Sequence, residues 1–203
     1  MQKNVKQSEY MKFHEAISLL FEVSKELIIT TLNSLFNEDF KPDKVEMEKI
    51  DIKYLDDFDL MYADVFFKVT EKTEQVKLHY YHIEIQTEPN INICLGALQS
   101  YLLSAERNAI DKCILNGTSK CDPIYMPKSV IIHTEDGDNI PDEYYDIEIV
   151  LPNGGEAINH QISVLRYWEY DMQQLIDKQL HLFLPLQLLL LRPEFEKLTK
   201  DKE

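Results

Sequence analysis

The sequence predicts a single α/β (α+β) domain built on a mixed central sheet flanked by helices. Three observations predict it. Apolar residues recur at helical spacing over 9–36. Aromatic and β-branched runs then follow one another over 45–86. A second helical stretch separates these runs from a further short apolar run, SVIIHT, as a crossover between strands of one sheet requires.

The elements read in order as follows. Phe13, Ile17, Leu20, Phe21, Leu27, Ile28, Leu32 and Leu35 step by three and four, so 9–36 is a helix, stopped by Asn37 and the Lys41-Pro42-Asp43 turn. VEMEKIDIKYL (45–55) alternates imperfectly as a strand, MYADVFFKVT (61–70) is a second and VKLHYYHIEIQ (76–86) a third. EKTEQ is a connection of hairpin length, which makes the last two antiparallel neighbours. A helix over 91–116 follows, capped by Asn90 or Asn92 and stopped at Asn116-Gly117. SVIIHT (129–134) suits a buried strand. YYDIEIVL and EAINHQISVLRYW flank Pro152-Asn153-Gly154-Gly155 and read as a hairpin. Residues 171–199 read as helical with a bend at Pro185. One domain therefore spans 1–203, with a core over 9–134 and a hairpin and C-terminal helical extension over 135–203.

A hydrophobic content of 44% is enough to bury a core, which argues against a disordered chain. The formal charge of −15 opposes non-specific nucleic-acid binding and attachment to an anionic membrane. It leaves room for an acidic cleft filled by a metal ion. Cys94, Cys113 and Cys121 lack the spacing of a zinc site and read as reduced thiols of a cytoplasmic protein. The N-terminal MQKNVKQSEYMKFHEA has no signal-peptide core. LHLFLPLQLLLL is too short to span a bilayer and reads as a core or interface helix.

The chemistry concentrates in YYHIEIQTEPN. Glu84 and Gln86 are two apart, so on a strand they share a face. If the EKTEQ loop closes near residue 74, Asp64 falls opposite Glu84 on that same face, among Tyr62, Phe66 and His82. Two carboxylates about 5 Å apart repel unless a cation, a shared proton or a hydrogen bond compensates. Mg²⁺ is the natural compensation, since it takes one or two carboxylates plus water and phosphate. The ordinary alternative is a solvated acidic face, and a register slip of one residue would send Asp64 to the other side. Of the remaining candidates, Glu15 and Glu22 fit the polar side of the first helix, and Tyr167, Trp168 and Tyr170 fit packing better than base stacking. The six histidines form no H-x-x-x-H pair, and no G-x-S-x-G, P-loop or G-x-G-x-x-G is present.

Together YADVFFKV, YYHIEIQTEPN, MPKSVIIHTEDGDNIPDEYYDIEIVLPNG and VLRYWEYDMQQLIDKQLHLFLPLQ carry a resemblance over roughly residues 10–192. In order and spacing the chain resembles the PD-(D/E)XK nuclease superfamily, in its recombination-promoting nuclease/putative transposase (Rpn-like) branch. The resemblance implies a restriction-endonuclease-like core: a first helix, an antiparallel three-stranded meander, a crossover helix and a further strand. It implies metal-dependent hydrolysis of DNA phosphodiesters, with Asp64 and Glu84 as ligands to Mg²⁺ or Mn²⁺. Gln86 stands where the superfamily often has lysine, and Glu15 is the candidate for an extra acid from the first helix. One departure is visible. Relatives begin the helix after E-x-Q with an arginine-containing segment, and here it reads INICLGALQSYL. DNA binding must also overcome the acidic net charge. The alternative expectation is therefore a catalytically inactive member acting through protein–protein contacts, with the apolar C-terminal region as a homodimer face.

Overall fold

The computed structural model describes residues 19–50, 65–73, 76–86, 126–150 and 157–190. Helix α1 (Lys25–Phe36) begins at Ser24, whose hydroxyl accepts from the Leu27 amide, with Glu26 in the first turn. The continuous helix expected over 9–36 is therefore broken. Residues 21–23 form a turn and bend, and the Ser24 cap starts a new helix. Asn37 ends α1 in the left-handed region (φ 53°, ψ 49°), a conformation asparagine tolerates. Ile28, Ile29 and Leu32 make its buried stripe.

Among the described residues six strands form one mixed sheet: β1 (Val45–Ile50), β2 (Val65–Glu71), β3 (Lys77–Gln86), β4 (Lys128–His133), β5 (Tyr144–Ile149) and β6 (Ile158–Arg166). Their order is β1-β2-β3-β4-β6-β5. The β1·β2, β2·β3 and β5·β6 pairs are antiparallel, whereas β3·β4 and β4·β6 are parallel. The C-terminal hairpin is thus a continuation of the central sheet, joined to it by β6. A parallel β3·β4 pair demands a crossover. The helix expected over 91–116 falls in that link and, like Cys94, Cys113 and Cys121, lies outside the described residues.

Alternation sorts the strands onto two faces. Val65, Phe67 and Val69 of β2, Tyr81, Ile83 and Ile85 of β3, and Val130 and Ile132 of β4 join the larger core, beneath α1 and the C-terminal segment. Phe36 and Phe40 close over Tyr81, with ring centroids 4.8 Å and 6.0 Å away. The opposite face carries a smaller cluster of Phe66, Ile131 and Ile162, with Ile50, Tyr145 and Ile147 against it.

The C-terminal segment is shorter-grained than the single bent helix expected over 171–199. A 3₁₀ turn (Tyr167–Glu169) leads to α2 (Met172–Asp177), which Asp171 and Gln174 open with a reciprocal capping box. Gln179, at φ 58°, turns the chain out of the helix. A 3₁₀ stretch (His181–Leu186) holds Pro185, which has no N–H to give a helix, and α3 (Gln187–Leu190) follows. Leu182, Phe183 and Leu186 fill the core, and the buried Tyr167 hydroxyl donates to the Phe183 carbonyl at 2.7 Å. Among the described residues no helix is long and apolar enough to cross a membrane.

Phe67 is fully buried, with Phe21 at 5.7 Å between ring centroids. Phe67→Ala should destabilise the domain by about 3–5 kcal/mol, read as a lowered urea midpoint with an unchanged slope. A loss below about 1 kcal/mol would show that this part of the sheet collapses around the cavity.

Candidate functional site

The β2·β3 ladder runs from Glu71–Lys77 to Val65–Ile83, with Phe66 opposite His82. This is the register on which an Asp64–Glu84 pairing depends. Asp64 itself lies outside the described residues, as do Tyr62 and Glu15. Glu84 and Gln86 do share the second sheet face, with His82 before them, while Ile83 and Ile85 enter the larger core. Burial of β3 on both sides follows from its central place in the sheet.

Glu84 is 2% exposed and Gln86 5%. Moving a carboxylate out of water is costly unless it is hydrogen-bonded or paired. Gln86 supplies one such bond: its Nε2 donates to Glu84 Oε1 at 2.5 Å. The Gln86 carbonyl in turn accepts from both the amide and the hydroxyl of Thr134, at 2.9 Å and 3.1 Å. The end of β3 is thereby fixed to the residue that follows β4. His82 is buried and stacks on Phe66, with centroids 4.3 Å apart and planes at 29°.

The parallel register extends the polar patch sideways. Gln86 pairs with His133, and His133 with Arg166, so one row crosses the C-terminal ends of β3, β4 and β6. His133 is 2% exposed, and its Nε2 lies 3.1 Å from the Tyr145 hydroxyl. Burial, with the Arg166 guanidinium as a lesser cause, lowers its pKa from 6.5 to about 4. The ring is therefore neutral at physiological pH. Arg166 donates to the Ile140 carbonyl at 2.8 Å and the Pro141 carbonyl at 3.3 Å, and pairs with Asp142 and Glu169. It clasps the connection between β4 and β5 over this end of the sheet.

His133, Thr134, Tyr145 and Arg166 are absent from the sequence-based candidate set. The available signal was the polar His-Thr ending of SVIIHT, since open sheets present their functional groups at the carboxyl ends of parallel strands. As oxygen donors, Glu84 and the Gln86 side-chain carbonyl suit a hard cation such as Mg²⁺. No group of three His, Cys, Asp or Glu poised to hold a metal occurs among the described residues. A cleft of about 540 Å³ opens at the other end of β4, lined in part by Lys128, Tyr144 and Gln161, and is separate from the Glu84–Gln86 pair. The chain matches no protein-family model, no curated protein and no solved structure.

The depressed His133 pKa makes a signed prediction. The unfolded ring takes up a proton near pH 6.5 and the folded one only near pH 4. Between these values the unfolded state binds more protons, so this residue removes stability as pH falls, by at most about 1.4 kcal/mol per unit. Urea unfolding of the wild type and His133→Gln at pH 7, 5.5 and 4.5 should show a shallower decline in the variant. Parallel curves would mean that His133 titrates alike in both states.

Proposed function

We propose that the chain is a metal-dependent DNA endonuclease of the PD-(D/E)XK superfamily, in its Rpn-like branch. The observation that carries this reading is the buried, same-face Glu84–Gln86 pair in a hairpin whose register would set Asp64 opposite Glu84. The order of elements supports it: α1, an antiparallel β1-β2-β3 meander, then β4 parallel to β3. Those are parts a restriction-endonuclease-like core would have, its crossover helix falling outside the described residues.

In this reading Asp64 and Glu84 hold Mg²⁺, or Mn²⁺ in its place. The ion supplies neutralising charge for a phosphoryl oxygen and lowers the pKa of a water. The protein's own residues do the rest. Gln86 offers an amide that can orient water or phosphate but, unlike lysine, brings no charge. Thr134 fixes the backbone that carries Gln86. DNA meets an acidic protein, so the metal site and local contacts must outweigh a repulsive field.

A second reading is favoured by the Gln86–Glu84 hydrogen bond itself. A carboxylate oxygen taken up by its own neighbour is what a catalytically inactive relative, kept as a protein-interaction module, would display.

Purified protein should nick plasmid DNA with Mg²⁺ or Mn²⁺. Loss of a metal ligand costs more than the 10–100-fold typical of a supporting residue, so Asp64→Ala and Glu84→Gln should each lower the rate by about 100-fold or more. Equal cleavage by wild type and both variants would place the activity elsewhere. Mn²⁺ titration separates the two readings: the nuclease binds the ion in a manner lost in Glu84→Gln, whereas the interaction module binds none at millimolar concentration.

A further inference from the structure

We propose that the cleft at the start of β4 is a binding site for a nucleobase, as carried by a free nucleoside. This inference does not rest on the metal-site reading, because the cleft lies at the opposite end of the sheet from Glu84 and Gln86. It arises from the topology. The β4·β6 ladder begins only at Val130–Ser163, so β6 projects past the start of β4 beside β5. On the same face the covering layer stops, because α1 ends at Phe36 and Asn37. The helix end and the lead-in to β4 form one wall, and the projecting hairpin forms the floor.

The volume of about 540 Å³ lies within the range of small-molecule sites, roughly 300–1,000 Å³. The lining chemistry narrows the ligand. Leu35, Phe36 and Met126 give an apolar wall, and the Tyr144 ring, 45% exposed, offers a face for stacking. Asn37, Gln161 and Ser163 bring neutral hydrogen-bonding groups, and Asp146 holds the Gln161 amide at 2.9 Å.

The charges argue against an ionic ligand. Among the described residues no aspartate or glutamate lines the cleft, in a chain with 36 acidic residues. Lys128, the cation among the described lining residues, is matched by Glu38 at 2.5 Å, and burial shifts the His160 pKa below the ordinary histidine value, away from the charged form. An anion would meet the net charge of −15 with no unmatched Lys or Arg among the described lining residues. An aliphatic chain would strand the polar floor. A flat, uncharged ring with donors and acceptors on its edge satisfies both the apolar wall and the amide and hydroxyl groups, and a nucleobase is that chemistry.

The test is titration of the full chain with adenosine, guanosine, cytidine and thymidine, followed by calorimetry and by amide chemical shifts, with ribose as the sugar control. At least one nucleoside should bind with a millimolar or tighter Kd, and ribose should not. Tyr144→Ala, at an exposed position, should weaken binding about tenfold by removing the stacking face. Ser163→Leu, which fills the cleft, should abolish it, and Glu84→Gln should leave it unchanged. Thermal melts check that each variant folds, and Tyr144→Ala decides the matter alone if Ser163→Leu does not. Absence of nucleoside binding, equal binding of ribose, or binding unaltered in folded Tyr144→Ala would overturn the proposal. Nuclease activity without nucleoside binding would sink this inference and spare the other.

Discussion

The burial of β3 on both faces is the constraint from which the rest of the structure follows. Tyr81 through Gln86 are all buried, although they alternate between two sides of a sheet. Such a strand needs a neighbour on each edge and a layer over each face. β2 supplies one edge in antiparallel register and β4 the other in parallel register. α1 and the C-terminal 3₁₀ segment supply the layer over Tyr81, Ile83 and Ile85. The parallel β4 then accepts β6, and β6 brings β5. The β5–β6 hairpin thereby completes a cluster, through Ile162 and Tyr145, that Phe66 and Ile131 begin.

Among the described residues, electrostatics contributes unevenly to this architecture. Lys41–Asp39, Lys44–Asp43 and Lys72–Glu46 are solvent-facing pairs, which water and salt screen heavily. Two arrangements differ in kind. Lys25 Nζ donates to the carbonyls of Pro42 and Val45, both at 2.6 Å, which ties the start of α1 to the start of β1. Glu38 accepts from Lys128 at 2.5 Å and from the Tyr81 hydroxyl at 3.0 Å, joining the end of α1 to β3 and β4. Burial, then this hydrogen bond, pushes the Tyr81 phenol well above its usual range, so it stays a neutral donor. The surplus of acids, by contrast, is a matter of which partners the surface admits.

Much of this was legible in the sequence wherever local chemistry decides structure. The Asn37 stop, the strands of the meander, the antiparallel register centred on EKTEQ and the closing hairpin all rest on turn residues and alternation. Two local signals were misjudged. Ser-Lys-Glu-Leu at 24–27 is a helix start, but the apolar spacing of 9–36 runs across it, and the cap prevailed over the periodicity. The apolar run from Leu180 onward looked like one helix, yet Gln179 cuts it off from α2 and Pro185 lies in a 3₁₀ stretch within it. The place of β6 beside β4 was not legible at all. Parallel pairing between distant segments is set by which faces must be covered, and no turn records it. For the same reason His133 and Arg166 were hidden members of the site: only the β3·β4·β6 register puts them in line with Gln86.

That line has an energetic meaning. Ile83, Ile85 and Ile132 show what this sheet uses where packing alone decides, and each buried aliphatic side chain stabilises by about 1.5–3 kcal/mol. On the second face the same strands bury His82, Glu84, Gln86, Ser129 and His133 instead. Polar groups there gain only what their hydrogen bonds return against desolvation, about 0.5–1.5 kcal/mol for each good bond. Leucine or isoleucine in their place would make a more stable sheet. Departures from local stability of this kind concentrate where a protein does its chemistry. Of these, Glu84, Gln86 and His133 also stand toward the carboxyl ends of the parallel β3 and β4, where open sheets carry their ligands. Energetic disadvantage and topological position thus single out one corner of the sheet, independently of any motif written in Glu84-Ile85-Gln86.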